Sequence, residues 1–193
     1  MGEIVRRVSE LTKGDAIVVT DVGQNQMFAA RYYKFSNPNS LVTSGGMGTM
    51  GFGLQAGIGA KIGRPDKPVI TFVGDGGFQM TIQELGTIMQ YNVPVKIIVL
   101  NNNYLGMVRQ WQDMFFDKRY ASTELVNPNF VMIANAYNIP GRKVSKREDL
   151  YSSLEEMLAS KWPFILEIAI EKEGNVFPMV EPGSSVSEVR LTY

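Results

Sequence analysis

The sequence predicts a doubly wound α/β domain, with a mostly parallel β-sheet and helices on both of its faces. Short apolar runs rich in β-branched residues alternate with longer amphipathic segments, as in a parallel sheet covered by helices. The chain has 193 residues, 45% of them hydrophobic, which fits one domain with a sizeable buried core. We therefore expect a folded unit over residues 1–170. An irregular tail over residues 171–193 should pack on this unit or on its functional site.

Five apolar runs have the length and composition of strands, and their β-branched residues distinguish them from buried helices. They are residues 16–20, 41–43, 69–73, 95–100 and 164–170. The segments that separate or follow these runs are predicted to be helices. The clearest of them are residues 52–62, 81–91, 129–137 and 146–159. Residues 81–91 carry apolar side chains at helical spacing, which predicts one buried face.

Composition excludes several classes of function. Lys plus Arg and Asp plus Glu both number 19, so there is no charge excess to attract nucleic acid or an anionic membrane. No apolar run is long enough to span a bilayer, and residues 1–7 do not resemble a signal peptide, so we expect a cytoplasmic protein. The chain has no Cys and no His, which leaves hard, oxygen-binding ions such as Mg²⁺ as the expected metals.

Two polar motifs follow neighbouring predicted strands. Gly74-Asp75-Gly76-Gly77 comes directly after residues 69–73, and Asn102 lies 27 positions beyond Asp75, after residues 95–100. That separation leaves room for one helix and one strand, a single crossover. If the strands are adjacent, their ends meet at the edge where open α/β sheets bind ligands. A carboxylate, an amide oxygen and a nearby backbone carbonyl could then bind Mg²⁺ together with a diphosphate.

Each motif alone has an ordinary explanation. Gly-Asp-Gly usually marks a turn, and asparagines after a strand usually form a loop. Both motifs at strand ends, with one crossover between them, favour a diphosphate site instead. We expect a helix to begin near Thr81 and to direct its N-terminal amides towards that site.

These motifs and three further segments resemble the C-terminal, diphosphate-binding domain of the acetohydroxyacid synthase (acetolactate synthase) family. The further segments are residues 21–27, residues 43–54 and residues 105–112. The resemblance extends from about residue 15 to the tail, nearly the whole chain. It implies thiamine diphosphate and Mg²⁺ as cofactors, with FAD expected only in the full-length enzyme.

The resemblance implies specific site residues. Asp75 and Asn102 would bind Mg²⁺ through their side chains, and Tyr104 through its backbone carbonyl. Met50 would lie under the bend of the cofactor, and the Gly48 carbonyl would accept a hydrogen bond from its pyrimidine amino group. The implied cofactor-binding residues are Gln24, Gly48, Met50, Gly74, Asp75, Gly76, Gly77, Asn102, Leu105, Gly106, Met107 and Val108.

Met107, Val108 and Trp111 are implied to form the substrate pocket, in which Trp111 favours 2-ketobutyrate over pyruvate as the second substrate. By their spacing alone these three residues could form a plain buried helix face, and by composition alone Met50 could belong to the core. Residues 51–59 contain four glycines, which we expect to allow a helix to pack closely on the sheet. Asn25 stands where the family commonly has His, so any role that requires an imidazole is in doubt.

The implied activity is the decarboxylating condensation of two 2-keto acids in branched-chain amino acid biosynthesis: pyruvate with pyruvate or with 2-ketobutyrate. The family's catalytic Glu lies in an N-terminal domain of a partner subunit, so no catalytic residue is expected here and the isolated chain should be inactive. Expected partners are the remaining enzyme domains, a second copy in a homodimer and a regulatory small subunit. The alternatives are another thiamine-diphosphate decarboxylase or oxidase, and a non-catalytic cofactor-binding module.

Overall fold

The computed structural model describes residues 1–181 and 183–192, and it confirms the predicted fold class. Six parallel strands form the sheet: β1 (Ile17–Thr20), β2 (Leu41–Val42), β3 (Val69–Gly74), β4 (Lys96–Asn101), β5 (Gly141–Val144) and β6 (Phe164–Ala169). Their order across the sheet is β2-β1-β3-β4-β6-β5. The chain runs outwards from β1 to β2 and then returns to β3 on the other side of β1. The carboxyl ends of β1 and β3 therefore flank the switch point at which such sheets bind ligands.

Helices cover both faces of the sheet. They are α1 (Gly2–Leu11), α2 (Gln24–Tyr32), α3 (Phe52–Gly63), α4 (Asp75–Met80), α5 (Leu85–Tyr91), α6 (Gly106–Phe115), α7 (Phe130–Ala136) and α8 (Leu150–Ala159). Alternate strand residues point to opposite faces, so each face has its own hydrophobic core. Ile98 of β4 packs into the cluster that contains α1, α2 and α8 residues, and Ile97 packs into the cluster that contains α3, α5 and α7 residues.

The predicted start of the helix near Thr81 is wrong. The first helical turn lies on the Gly-Asp-Gly-Gly motif itself, because α4 begins at Asp75, and a short 3₁₀ segment (Ile82–Glu84) separates α4 from α5. Glycine has low helix propensity, so the glycines after Asp75 predict a turn where the structure has the start of a helix. Elements without a counterpart in the sequence prediction include α1, α2 and the edge strand β5.

The glycines of α3 do not share one role. A β-carbon on Gly57 would lie 2.1 Å from Oγ1 of Thr71 on β3, so this glycine lets the helix approach the sheet closely. Gly59, by contrast, has no atom within 4 Å of that position. The expectation that all four glycines serve close packing is therefore wrong for Gly59, which faces outwards.

The segment after β6 is irregular over residues 170–181 and 183–192 apart from one small antiparallel pair, β7 (Met179–Val180) with β8 (Val189–Arg190). The predicted tail thus falls partly outside the described residues, at positions 182 and 193. Gln110 of α6, which is fully buried, accepts a hydrogen bond from the Val176 amide and donates one to the Val176 carbonyl. Within the described residues, no helix is both long and apolar enough to cross a bilayer.

Candidate functional site

A cavity of about 440 Å³ lies at the carboxyl ends of β1, β3 and β4, beside the switch point. Every residue that the sequence predicted for the site lines this one cavity, although the individual roles stay predictions. The predicted residues in the lining are Gln24, Gly48, Met50, Gly74, Asp75, Gly76, Gly77, Asn102, Tyr104, Leu105, Gly106, Met107, Val108 and Trp111. The fold thus brings together segments that are far apart in the sequence.

The two side chains expected to bind a metal reach the cavity because β3 and β4 are adjacent. Gly74 pairs with Leu100 across these strands, so Asp75 and Asn102 both leave the sheet at the same edge. Both residues are buried. The Asn102 carboxamide oxygen accepts a hydrogen bond from the Tyr104 amide at 3.1 Å, which keeps these two predicted ligands in one tight turn.

The electrostatic environment of Asp75 suits a cation. Burial raises the pKa of the Asp75 carboxyl group above its ordinary value, although a hydrogen bond from Asn127 opposes the shift. In the described part of the chain, no Lys or Arg forms an ion pair with Asp75. A buried carboxylate without a cationic partner is costly, and a divalent ion would offset that cost.

The donor set also fits Mg²⁺ rather than a transition metal. Among residues 1–181 and 183–192 there is no group of three or more His, Cys, Asp or Glu side chains that could hold an ion. One carboxylate, one amide oxygen and one backbone carbonyl leave coordination positions for a diphosphate and water, as Mg²⁺ prefers. In the cavity wall, the buried Asn25 Oδ1 has no hydrogen-bond partner among the described residues, so an acceptor is available to a ligand donor.

Asp21 holds segments next to the cavity in place, and sequence reasoning missed it. It is fully buried at the end of β1 and accepts hydrogen bonds from the backbone amides of Val22 (2.8 Å), Gly51 (3.1 Å) and Gly53 (2.8 Å). A β-carbon on Gly77 would lie only 2.4 Å from Asp21 Oδ1, so only glycine fits at this point in the first turn of α4. One carboxylate therefore binds the start of α3 and lies against the first turn of α4.

Met50 and the α6 residues belong to the cavity wall rather than to the core. The side chains of Met50 and Leu105 both lie beside Gly76, and Met50 is only partly buried. On α6 the buried residues are Arg109 and Gln110, whereas Val108 is 45% exposed. Met107, Val108 and Trp111 therefore do not form a plain buried face of α6.

Asn127 is the second residue that sequence reasoning missed. Its side-chain amide donates to Asp75 Oδ2 at 2.6 Å, from a loop 52 positions away in the chain. Asp21 follows a buried strand as Asp75 does, so a rule for polar residues at strand ends could have found it. No comparable sequence signal marks Asn127, because its loop has no fixed relation to the strand order.

Comparison with known proteins identifies the class of this domain. The family model "Thiamine pyrophosphate enzyme, C-terminal TPP binding domain" matches residues 21–168, and the chain belongs to this family. The chain is similar to the acetolactate synthase isozyme 2 large subunit of Escherichia coli. The two are 44% identical over 187 residues, which cover 96% of this chain and 34% of that protein.

The acetolactate synthase large subunit of Lactococcus lactis is 46% identical, over 97% of this chain and 32% of that protein. The mitochondrial acetolactate synthase catalytic subunit of Saccharomyces cerevisiae is 43% identical, over 96% of this chain and 27% of that protein. The resemblance to acetolactate synthases is thus confirmed. The chain spans about one third of the length of these relatives.

Proposed function

We propose that this chain binds thiamine diphosphate together with Mg²⁺, as the cofactor-binding domain of an acetolactate synthase. The observation that carries the proposal is the pairing of β3 with β4, which brings the buried Asp75 and Asn102 to one cavity. Membership of the thiamine pyrophosphate enzyme family supports the cofactor. The similarity to acetolactate synthases over nearly the whole chain supports the reaction.

In this proposal the two sides of the cavity hold different parts of the cofactor. Asp75, Asn102 and the Tyr104 carbonyl bind the cation, and the amides of Gly76 and Gly77 in the first turn of α4 bind the diphosphate. Met50 supports the bend between the two rings, because a long and adaptable side chain fits an irregular apolar surface. When bound, thiamine diphosphate acts as the electron sink that allows a 2-keto acid to lose CO₂.

The residues of this chain then position the substrates. Met107, Val108 and Trp111 line the cavity, and their apolar surface would exclude water from the reacting groups. In this proposal Trp111 also selects the second 2-keto acid, with 2-ketobutyrate preferred to pyruvate. The product enters branched-chain amino acid biosynthesis.

The remaining parts of the proposal concern the rest of the enzyme. Because the chain corresponds to about one third of its relatives, we propose that further domains supply the catalytic carboxylate and an FAD site. A second copy of the chain and a regulatory subunit are the proposed partners, and the cytoplasm is the proposed location. The isolated chain should bind the cofactor weakly and have no synthase activity, since the catalytic carboxylate and further cofactor contacts are proposed to come from the other domains.

Calorimetric titration with thiamine diphosphate tests the cofactor site directly. We expect binding in the presence of Mg²⁺ and loss of detectable binding when the metal is chelated or when Asp75 is changed to Ala. Asp117→Ala is the matched control, because its carboxylate is almost fully exposed and lies outside the cavity lining. Binding that survives Asp75→Ala would disprove the proposed metal site.

Activity measured with the other enzyme domains supplied separates the remaining alternatives. A non-catalytic module would bind the cofactor and stay inactive even when the other domains are supplied in the same polypeptide. A related decarboxylase would release CO₂ from pyruvate in that context without forming acetolactate. The arrangement of Met107, Val108 and Trp111 around the cavity favours the synthase, because a condensing enzyme needs an apolar wall for a second substrate.

A further inference from the structure

Asn127 stands at the centre of a hydrogen-bonded group of oxygens beside the predicted metal ligands. Its Nδ2 lies 2.6 Å from Asp75 Oδ2, 2.9 Å from Asn101 Oδ1 and 3.1 Å from Asn103 Oδ1. The shortest of these contacts is to the carboxylate, as expected for a charge-assisted hydrogen bond. Asn127 does not line the cavity, so it contacts a predicted ligand without reaching the ligand-binding space.

Two further contacts set the orientation of the Asn127 amide. Gln79 Nε2 donates to Asn127 Oδ1 at 2.8 Å, and the same Gln79 nitrogen lies 3.2 Å from the Asp75 carbonyl oxygen. If the amide of Asn127 were reversed, its NH₂ group would face the NH₂ group of Gln79 and its oxygen would face the carboxylate. The donor of Asn127 is therefore held towards Asp75.

The same arrangement continues into the sheet. Asn101 Nδ2 donates to Glu167 Oε1 at 2.9 Å, and Glu167 is fully buried on β6, where Lys143 of β5 approaches it at 2.7 Å. This bond fixes the amide of Asn101, so its oxygen faces Asn127. A continuous polar path thus runs from the far edge of the sheet to the carboxylate of Asp75.

The loop that carries Asn127 is tied to the metal-site turn by the backbone. Tyr104 and Glu124 form an isolated antiparallel bridge, and the Leu125 amide donates to the Asn103 carbonyl at 2.8 Å. The turn that contains Tyr104 therefore also holds the loop of Asn127 beside Asp75.

We propose that Asn127 is a positioning residue that holds the Asp75 carboxylate in the orientation from which it binds the divalent cation. Gln79 and the Glu167–Asn101 pair hold Asn127 in turn. The inference rests on the proposed function, because it concerns the cation that accompanies thiamine diphosphate. Residues that orient metal ligands commonly set metal affinity without touching the metal.

A purely structural role for Asn127 predicts something different. If its bonds only tie the loop to α4, their loss lowers the free energy of unfolding but leaves the Mg²⁺ requirement of the folded protein unchanged. If Asn127 positions Asp75, its loss raises the Mg²⁺ concentration needed for cofactor binding. Saturating Mg²⁺ should then restore the affinity for thiamine diphosphate.

The test is a Mg²⁺ titration at fixed thiamine diphosphate, followed by calorimetry and by tryptophan fluorescence, to which Trp111 in the cavity lining contributes. For Asn127→Ala we expect the half-saturating Mg²⁺ concentration to rise roughly 10- to 100-fold. Asn129→Ala is the matched control, because Asn129 caps α7 through the Met132 amide in the same loop. That variant should be less stable and keep the wild-type Mg²⁺ dependence.

The outcomes separate the two proposals. An unchanged half-saturating concentration in folded Asn127→Ala, or a loss of affinity that Mg²⁺ cannot restore, overturns the positioning role and leaves the proposed function intact. No binding by the wild-type chain at any Mg²⁺ concentration overturns both. If Asn127→Ala does not fold, Gln79→Ala decides the matter: a several-fold higher Mg²⁺ requirement supports the role, and no change overturns it.

Discussion

Asp21 is the residue whose substitution should reveal most about how the cavity is built. Asn has nearly the shape of Asp, so Asp21→Asn leaves packing unchanged and alters only charge and hydrogen bonding. The carboxylate accepts hydrogen bonds from three backbone amides. One is that of Val22, in the loop before α2, and the others are those of Gly51 and Gly53, at the start of α3. An Asn side chain has a single acceptor oxygen and an NH₂ group that can only donate, and therefore cannot accept from amides on both sides as the two carboxylate oxygens do.

The size of the effect follows from these contacts. If the Asn oxygen takes the place of Oδ1, it keeps the bonds to Val22 and Gly51, and its NH₂ group then faces the Gly53 amide. A bond to a charged acceptor contributes about 1.5–3 kcal/mol, and a buried donor without a partner costs about 1–3 kcal/mol. Removal of a buried charge offsets part of this loss. We expect the free energy of unfolding to fall by about 2–4 kcal/mol.

Urea denaturation, followed by far-ultraviolet circular dichroism, measures this change, provided that the slope of the transition stays constant. Asp117→Asn, at a carboxylate that is 93% exposed, should leave the midpoint unchanged. Asp21→Asn should also weaken thiamine diphosphate binding, because the released Gly53 amide lies at the start of α3, three residues after Met50. A loss below about 0.5 kcal/mol would refute the reasoning, since that is the range of ordinary surface substitutions.

Two further predictions concern the rest of the domain. In α3, Gly57→Ala should destabilise the chain by about 1–3 kcal/mol through its clash with Thr71, whereas Gly59→Ala should stabilise it by about 0.5–1 kcal/mol. Thermal unfolding of the two variants checks this prediction. Equal effects of the two substitutions would contradict the assigned helix faces. Burial lowers the pKa of Lys96 from 10.5 to about 8, so the unfolded chain binds more protons between these values and stability should rise with pH across that interval, by at most about 3 kcal/mol. Urea midpoints from pH 8 to 10 should show this rise in the wild type and a flatter profile in Lys96→Met; parallel profiles would show that Lys96 does not titrate there.

The strands were predictable because buried parallel strands have a strong local signature. Residues of β3 and β4 are buried on both faces, so they form continuous runs of apolar, mostly β-branched side chains. The edge strand β5 has a single buried residue, Val144, and therefore carries no such run. Helix α2 shows little amphipathic periodicity, whereas α1 does have apolar residues at helical spacing, at Ile4, Val5 and Val8, and could have been predicted.

The site was predictable to the extent that it consists of strand ends. Asp75 and Asn102 follow the two central strands, and parallel pairing brings such residues together without any knowledge of side-chain contacts. The start of α4 was not predictable in this way, because its first turn is rich in glycine. Glycine occurs there despite its low helix propensity, because no other residue type fits beside Asp21 at position 77.

The side chains that fix the cavity are mostly absent from its surface. Asp21 binds the start of α3 and lies against the first turn of α4, Asn127 orients Asp75, Glu167 orients Asn101, and Gln110 binds the Val176 backbone. None of these four supporting residues lines the cavity. Each satisfies backbone or side-chain groups. Asp21, Glu167 and Gln110 do so from buried positions, where an unpaired polar atom is costly, and Asn127 does so from a partly buried one. Substitution of a lining residue should therefore change what the cavity binds, whereas substitution of a supporting residue should change stability and affinity together. The Mg²⁺ dependence separates Asn127 from the others, because among the four it is the one that contacts the carboxylate of Asp75.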